Sequence, residues 1–170
     1  MPVDSIIHSI DSETFAEFCA QRDARNTIEL NVRKWTLMLC DALRQDYIKY
    51  SIEQHEAALL VPLGRSIYSS DAGDVRSVRY HEACIEELKN GQCDYKFYIE
   101  SGRKYHKIIM ETESQSRSVH AFVDKKTGEV YKSASWKSPA KGVRFDLRLI
   151  EQREWLLENA DWAGGYLYMK

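Results

Sequence analysis

Six cations (Lys125, Lys126, Lys132, Lys137, Lys141 and Arg144) fall within twenty residues and are opposed in that stretch only by Glu129. Trp136 lies centrally among them, and Pro139 and Gly142 keep this part of the chain out of regular pairing. Residues of these types can hold a single-stranded or structured nucleic acid, DNA or RNA. Ammonium and guanidinium groups neutralise phosphates, an indole face stacks on a base, and small hydroxyl residues reach phosphate oxygens. No base-reading pattern accompanies them, so weak sequence preference and steep salt dependence are expected. The same composition also suits a plainer arrangement, with half of the rings filling a core beneath a sheet and the lysines keeping its outer face wet.

Two histidines come next. His106 and His120 fall on adjacent predicted strands, where an imidazole pair can do acid–base work on a phosphodiester. Lys104, Lys107 and Arg117 lie near enough in sequence to neutralise phosphate charge. Neither histidine sits in a nucleophile-elbow or phosphate-loop motif, so both are weak catalytic candidates, and an enzyme is the less expected outcome. His81, Cys84 and Cys93 offer three soft ligands without a fourth at the tight spacing that structural zinc requires. No metal and no cofactor is expected.

These residues need elements to position them. Phe15, Phe18 and Cys19 share a helical face, so residues 11–25 read as a short helix capped by Asp11 or Ser12. Asn26 and Glu29 form a second capping-box pattern, opening a helix that runs to about Leu60 before Val61-Pro62 stops it. Leu63–Val78 has loop composition, and a third helix is predicted over about Val78–Asn90, ended by Gly91. The period then changes to two. Strands are predicted at Asp94–Ser101, Lys104–Thr112, Ser118–Asp124 and Glu129–Ser133, with Val119, Ala121 and Val123 opposite His120 and Phe122. The turn between the last two carries Gly128 in its final position, a hairpin signal. A helix follows over 146–159, with Asp146 as N-cap and Leu149, Ile150, Trp155 and Leu156 inward, and then a short strand, Tyr166–Met169.

The expectation is an α+β fold in which N-terminal helices pack on a three- to four-stranded antiparallel meander, with a C-terminal helix. Residues 1–92 form the mainly helical half and 93–170 the sheet with that last helix, around one core. Trp35, Leu39, Leu43, Ile108, Met110, Val119 and Val123 should be largely buried. The 170 residues are 44% hydrophobic and 29% charged, which suits a core of useful size and excludes a disordered chain. No apolar run reaches membrane-span length and no signal peptide is visible. Four dispersed cysteines fit a reducing compartment.

Net charge is −2, but it is divided unevenly. Residues 95–145 hold eleven cations, five carboxylates and eight of the nineteen aromatic rings, for a net charge of +6. The remaining thirteen bases and twenty-one acids leave −8 elsewhere. Such asymmetry speaks of partners rather than of fold.

The stretches KYHKII (104–109), SVHAFVDKKTGEVYK (118–132) and ASWKSPAK (134–141) resemble a group of uncharacterised bacteriophage proteins, many from marine and cyanobacterial phages. The resemblance covers roughly residues 95–148. It implies origin and setting, a phage accessory protein acting in the cytoplasm of an infected bacterial cell, and transfers no catalytic residue. The expected function is nucleic-acid binding through a basic, aromatic sheet-and-loop surface formed by Lys125, Lys126, Lys132, Trp136, Lys137, Lys141 and Arg144. The alternative is a phage protein that modulates a host protein through its acidic helical half. The third is a His-dependent phosphodiester-processing enzyme.

Overall fold

The computed structural model describes residues 14–60 and 71–168. Helix α1 (Phe15–Leu60) opens with a reciprocal capping box. The Thr14 amide donates to Glu17 Oε2 at 2.7 Å, and the Glu17 amide donates to Thr14 Oγ1 at 3.3 Å. The helix then runs unbroken for 46 residues, so the second cap expected at Asn26 is not used. Neither Gly nor Pro occurs between Thr14 and Leu60, and Thr27 turns its hydroxyl back onto the Asp23 carbonyl at 2.9 Å. Local capping signals lose to helix propagation where nothing interrupts it.

Helix α2 (Asp71–Lys89) lies along α1. Residues 61–70 of the expected loop lie outside the described residues, and 71–78 are helical. Gly91 ends the helix as predicted, at φ +82°, with the Gly91 and Gln92 amides donating to the Leu88 and Glu87 carbonyls.

Five strands follow: β1 (Lys96–Ser101), β2 (Tyr105–Glu111), β3 (Arg117–Asp124), β4 (Glu129–Lys132) and β5 (Phe145–Asp146). They pair in chain order and antiparallel throughout, giving the α+β meander with one more strand than the sequence suggested. The β3–β4 turn is held by Asp124 Oδ1, which accepts the amides of Lys126 at 2.9 Å and Thr127 at 3.1 Å. Gly128 completes it at φ +71°.

The strict alternation expected along β3 fails at one point. Ile108 pairs with Ala121 but Ile109 pairs with Val119, so His120 is an extra residue in a bulge. The bulge turns His120 to the same side as Phe97, whose ring it meets edge-on at 5.8 Å, and sends Val119 to the opposite face with Ile109.

Helix α3 (Ile150–Asn159) starts four residues later than predicted. Asp146 ends β5 and pairs with Arg148 at 2.8 Å, and Leu149 takes the cap position with no side-chain bond. The later start leaves Leu149, Ile150 and Trp155 exposed, with Leu156 buried. Trp155 instead stacks on Phe145 at 5.4 Å. The expected final strand is a 3₁₀ turn, Gly165–Leu167, entered through Gly164 at φ +84°.

One cluster of buried side chains joins α1 (Val32, Leu39, Cys40, Leu43), the sheet (Phe97, Ile108, Ala121, Val123, Val130) and α3 (Leu156). Leu39, Leu43, Ile108 and Val123 are fully buried, whereas Trp35, Met110 and Val119 are only partly so. Trp35 lies at the rim, with the Arg153 guanidinium 4.2 Å from its ring centre. Among the described residues, no helix is long and apolar enough to cross a membrane.

Candidate nucleic-acid interface

Pairing divides the sheet into two unlike faces. Phe97, Ile108, Ala121, Val123 and Val130 point to the helices. Cross-strand partners share a face, so Tyr98 and Ile109, Lys107 and Phe122, and Phe122 and Tyr131 lie together on the other side. Among the described residues no helix covers that second face.

The open face is a run of rings and cations in contact. Tyr105 meets Phe122 edge-on at 5.6 Å and Tyr131 at 6.1 Å. Lys104 Nζ lies 5.2 Å from the Tyr105 ring, Lys107 Nζ 5.8 Å from Phe122, and the Arg117 guanidinium 5.8 Å from Tyr98. The loop after β4 then folds back over the sheet. It is a built turn: Ser133 bridges to Pro139, and Ser135 Oγ lies 2.9 Å from Ser138 Oγ while accepting the amides of Lys137 and Ser138. At its tip, Trp136 has Lys107 Nζ at 5.5 Å and Arg117 Cζ at 5.3 Å. The ring therefore sits between those two cations, on the face where Ile109 and Phe122 are fully buried. Trp136 itself remains 39% exposed.

This face carries both signs and neutral rings: Lys107 and Arg117 lie across from Glu100 and Glu111, and Lys104 Nζ is 4.0 Å from Asp124 Oδ2. Hydrogen bonding to Tyr98 holds Arg117 in its charged form, and Glu100 pairs with it at 2.7 Å. The Tyr131 hydroxyl donates to Glu129 Oε2 at 2.6 Å, and that bond pushes its pKa up to about 12. Burial first, then bonding to Glu111, raises Tyr98 as well. Neither phenol carries charge at neutral pH.

The predicted cations do not gather around Trp136 as a single patch. Lys137 adjoins it in the turn and Lys141 is exposed further along the loop. Lys132 pairs in register with Ala121 on the helix side, its Nζ 4.7 Å from the Tyr168 ring. Lys125 and Lys126 occupy the β3–β4 turn beside α1. Arg144 is a clamp: Nε donates to the Leu167 carbonyl at 2.6 Å, and Nη1 to those of Lys141 and Gly142 at 3.1 and 2.7 Å. Its donors close the loop rather than face outward. The cations that do flank Trp136 are Lys107, which the period-two reading of β2 places on the outer face, and Arg117, which lies just before the strand expected at Ser118–Asp124 and reaches that face only through the β3 bulge.

The two histidines are not partners. His106 pairs with Val123, not His120, and its Nδ1 lies 2.7 Å from Ser101 Oγ. His120 Nε2 lies 2.8 Å from the Tyr166 hydroxyl. Burial holds both imidazoles neutral, each with its pKa lowered to about 4; Lys125 and Arg33 add to the effect at His106, while Asp161 opposes it at His120. His81 Nδ1 meets His55 Nδ1 at 2.9 Å across the two long helices.

A sequential antiparallel meander, backed by helices on one face and carrying partly exposed rings and charged side chains on the other, defines an open-faced α+β protein. Residues 15–169 match the model of DUF7717, a family of unknown function, and the chain belongs to that family. No curated protein and no solved structure matches it.

Proposed function

We propose that this protein binds single-stranded or structured nucleic acid on the open face of its sheet. One observation carries the reading: Trp136, 39% exposed, and the half-buried rings of Tyr98, Tyr105 and Tyr131 lie among Lys104, Lys107 and Arg117 on the side away from the helices, with the fully buried Phe122 packed beneath Tyr105 and Lys107. Sequence-tolerant recognition of single strands needs ring faces for bases and cations spaced along the phosphates. Trp136 and Tyr98 offer the ring faces; Lys107, Arg117 and Lys137 offer the cations. Three such phosphate contacts give a slope of log K against log salt of about −2.

Fluorescence anisotropy with a labelled oligonucleotide at two salt concentrations tests this. Trp136→Ala should weaken binding by roughly 1–3 kcal/mol, the worth of one stacked base. Lys137→Ala/Lys141→Ala should lower the salt slope. Absence of binding at low salt, or indifference to these substitutions, would remove the proposal.

A protein partner is the second reading. Phe15 is 82% and Leu30 68% exposed on the first third of α1, which extends beyond the core. The setting we propose, the cytoplasm of an infected bacterial cell, rests on the phage-like stretch at 95–148; the family description says nothing of origin.

A further inference from the structure

We propose that the cleft between α1 and the β3–β4 turn binds a phosphate monoester, independently of the open face. The cleft has a volume of about 430 Å³ and is lined by Asn26, Glu29, Leu30, Arg33, His106 and Lys125. That is the size of pocket that encloses a small organic ligand, larger than a bare ion needs.

Its donors converge from three elements. Arg33 comes from α1, Lys125 from the turn, and His106 from β2. Neither Arg33 nor Lys125 has a carboxylate within 4.0 Å among the described residues. Arg25 and Lys126 line a second cleft that shares Glu29 with the first, so the two clefts together are lined by four cations and one carboxylate. An uncompensated cluster of this kind raises the local concentration of anions.

His106 supplies the specific feature. The residue is only 4% exposed, yet its ring lines the cleft. The Ser101 hydroxyl, 2.7 Å from Nδ1, can donate to that nitrogen and leave the ring proton on Nε2. Nε2 has no hydrogen-bond partner among the described residues. The imidazole thus offers an N–H to a phosphate oxygen while Arg33 and Lys125 neutralise the dianion. Leu30 gives an apolar wall for the group that the phosphate esterifies. Burial, then the fields of Lys125 and Arg33, depress the His106 pKa, which places both cations within electrostatic reach of the ring. A bound dianion reverses that field.

The experiment is an NMR titration of the imidazole ¹⁵N resonances with adenosine monophosphate and, separately, with adenosine. Adenosine monophosphate should shift His106 saturably, with half-saturation at or below roughly 1 mM, and should raise the His106 pKa. Arg33→Gln and Lys125→Gln, both outside the core, should each weaken the effect about tenfold, while Trp136→Ala should leave it unchanged. A response to the monophosphate no larger than to adenosine, or one unaltered by Arg33→Gln and Lys125→Gln, overturns the proposal. Two strands then distinguish the source. Tighter binding of a 5′-phosphorylated oligonucleotide than its 5′-hydroxyl twin assigns the cleft to strand ends. Equal binding, with the monophosphate still bound, assigns it to free nucleotide-sized monophosphates.

Discussion

Acidification should destabilise this protein through its buried histidines, and His120 allows the size of the effect to be worked out. Its ring is enclosed by Phe97, Tyr166 and Gly164, with Nε2 bonded to the Tyr166 hydroxyl and Asp161 the charged group acting on it. The folded pKa is about 4 against an ordinary 6.5. Because the folded state resists protonation, the stabilisation from a neutral His120 is complete above pH 6.5 and is lost as pH falls toward about 4. Linkage over that shift gives a loss of about 2 kcal/mol between pH 7 and pH 5, approaching about 3 kcal/mol at the acid limit. The assay is urea unfolding at pH 7 and pH 5 for the wild type and His120→Gln, which keeps a polar group near Tyr166 but cannot titrate. Carboxylates and His106 titrate in both proteins, so they cancel in the difference. Stability of the variant should fall by about 2 kcal/mol less than that of the wild type over this interval. Identical pH slopes, or a His120 resonance titrating near 6.5, would refute the reasoning.

Gly128→Ala should cost about 1–2 kcal/mol by urea unfolding, because its φ of +71° is left-handed and the new Cβ would meet Val32 Cγ2 at 3.3 Å. Leu43→Ala should cost about 2–5 kcal/mol in the same assay, since Leu43 is fully buried in the cluster joining α1 to the sheet. Arg144→Ala should lower the thermal midpoint through loss of its bonds to the Leu167, Lys141 and Gly142 carbonyls, while the salt slope of oligonucleotide binding stays as in the wild type. A lower salt slope in that variant would instead return Arg144 to the binding surface.

The meander was legible because each strand carries its own period-two pattern and each boundary its own punctuation; Gly91, Asp124 and Gly128 stand where the sequence placed turns. What misled was non-local. Asn26 and Glu29 satisfy a capping pattern that an uninterrupted helix overrides, while Thr14 and Glu17, with the same spacing, form the real one. The β3 bulge shifts one pairing, and that single step moves Val119 outward and His120 inward. The site follows the same division. Trp136 and the outer positions of β2 could be read from sequence, because loop composition and alternation are local. That Lys125 turns toward α1, Lys132 toward Tyr168, and Arg144 toward three carbonyls depends on how the loop closes, which no spacing records.

On the proposed function, the ring-and-cation face, rather than the helical side, receives nucleic acid. Mapping backbone amide shifts by NMR on titration with a 5′-hydroxyl single-stranded oligonucleotide tests it most directly, since this probe lacks the terminal phosphate proposed for the α1 cleft. Shifts should concentrate at Tyr98, Lys107, Arg117, Phe122, Tyr131 and the Ser135–Ser138 turn, with α2 and the first half of α1 unmoved. Shifts centred on the helices, or none at low salt, would contradict it.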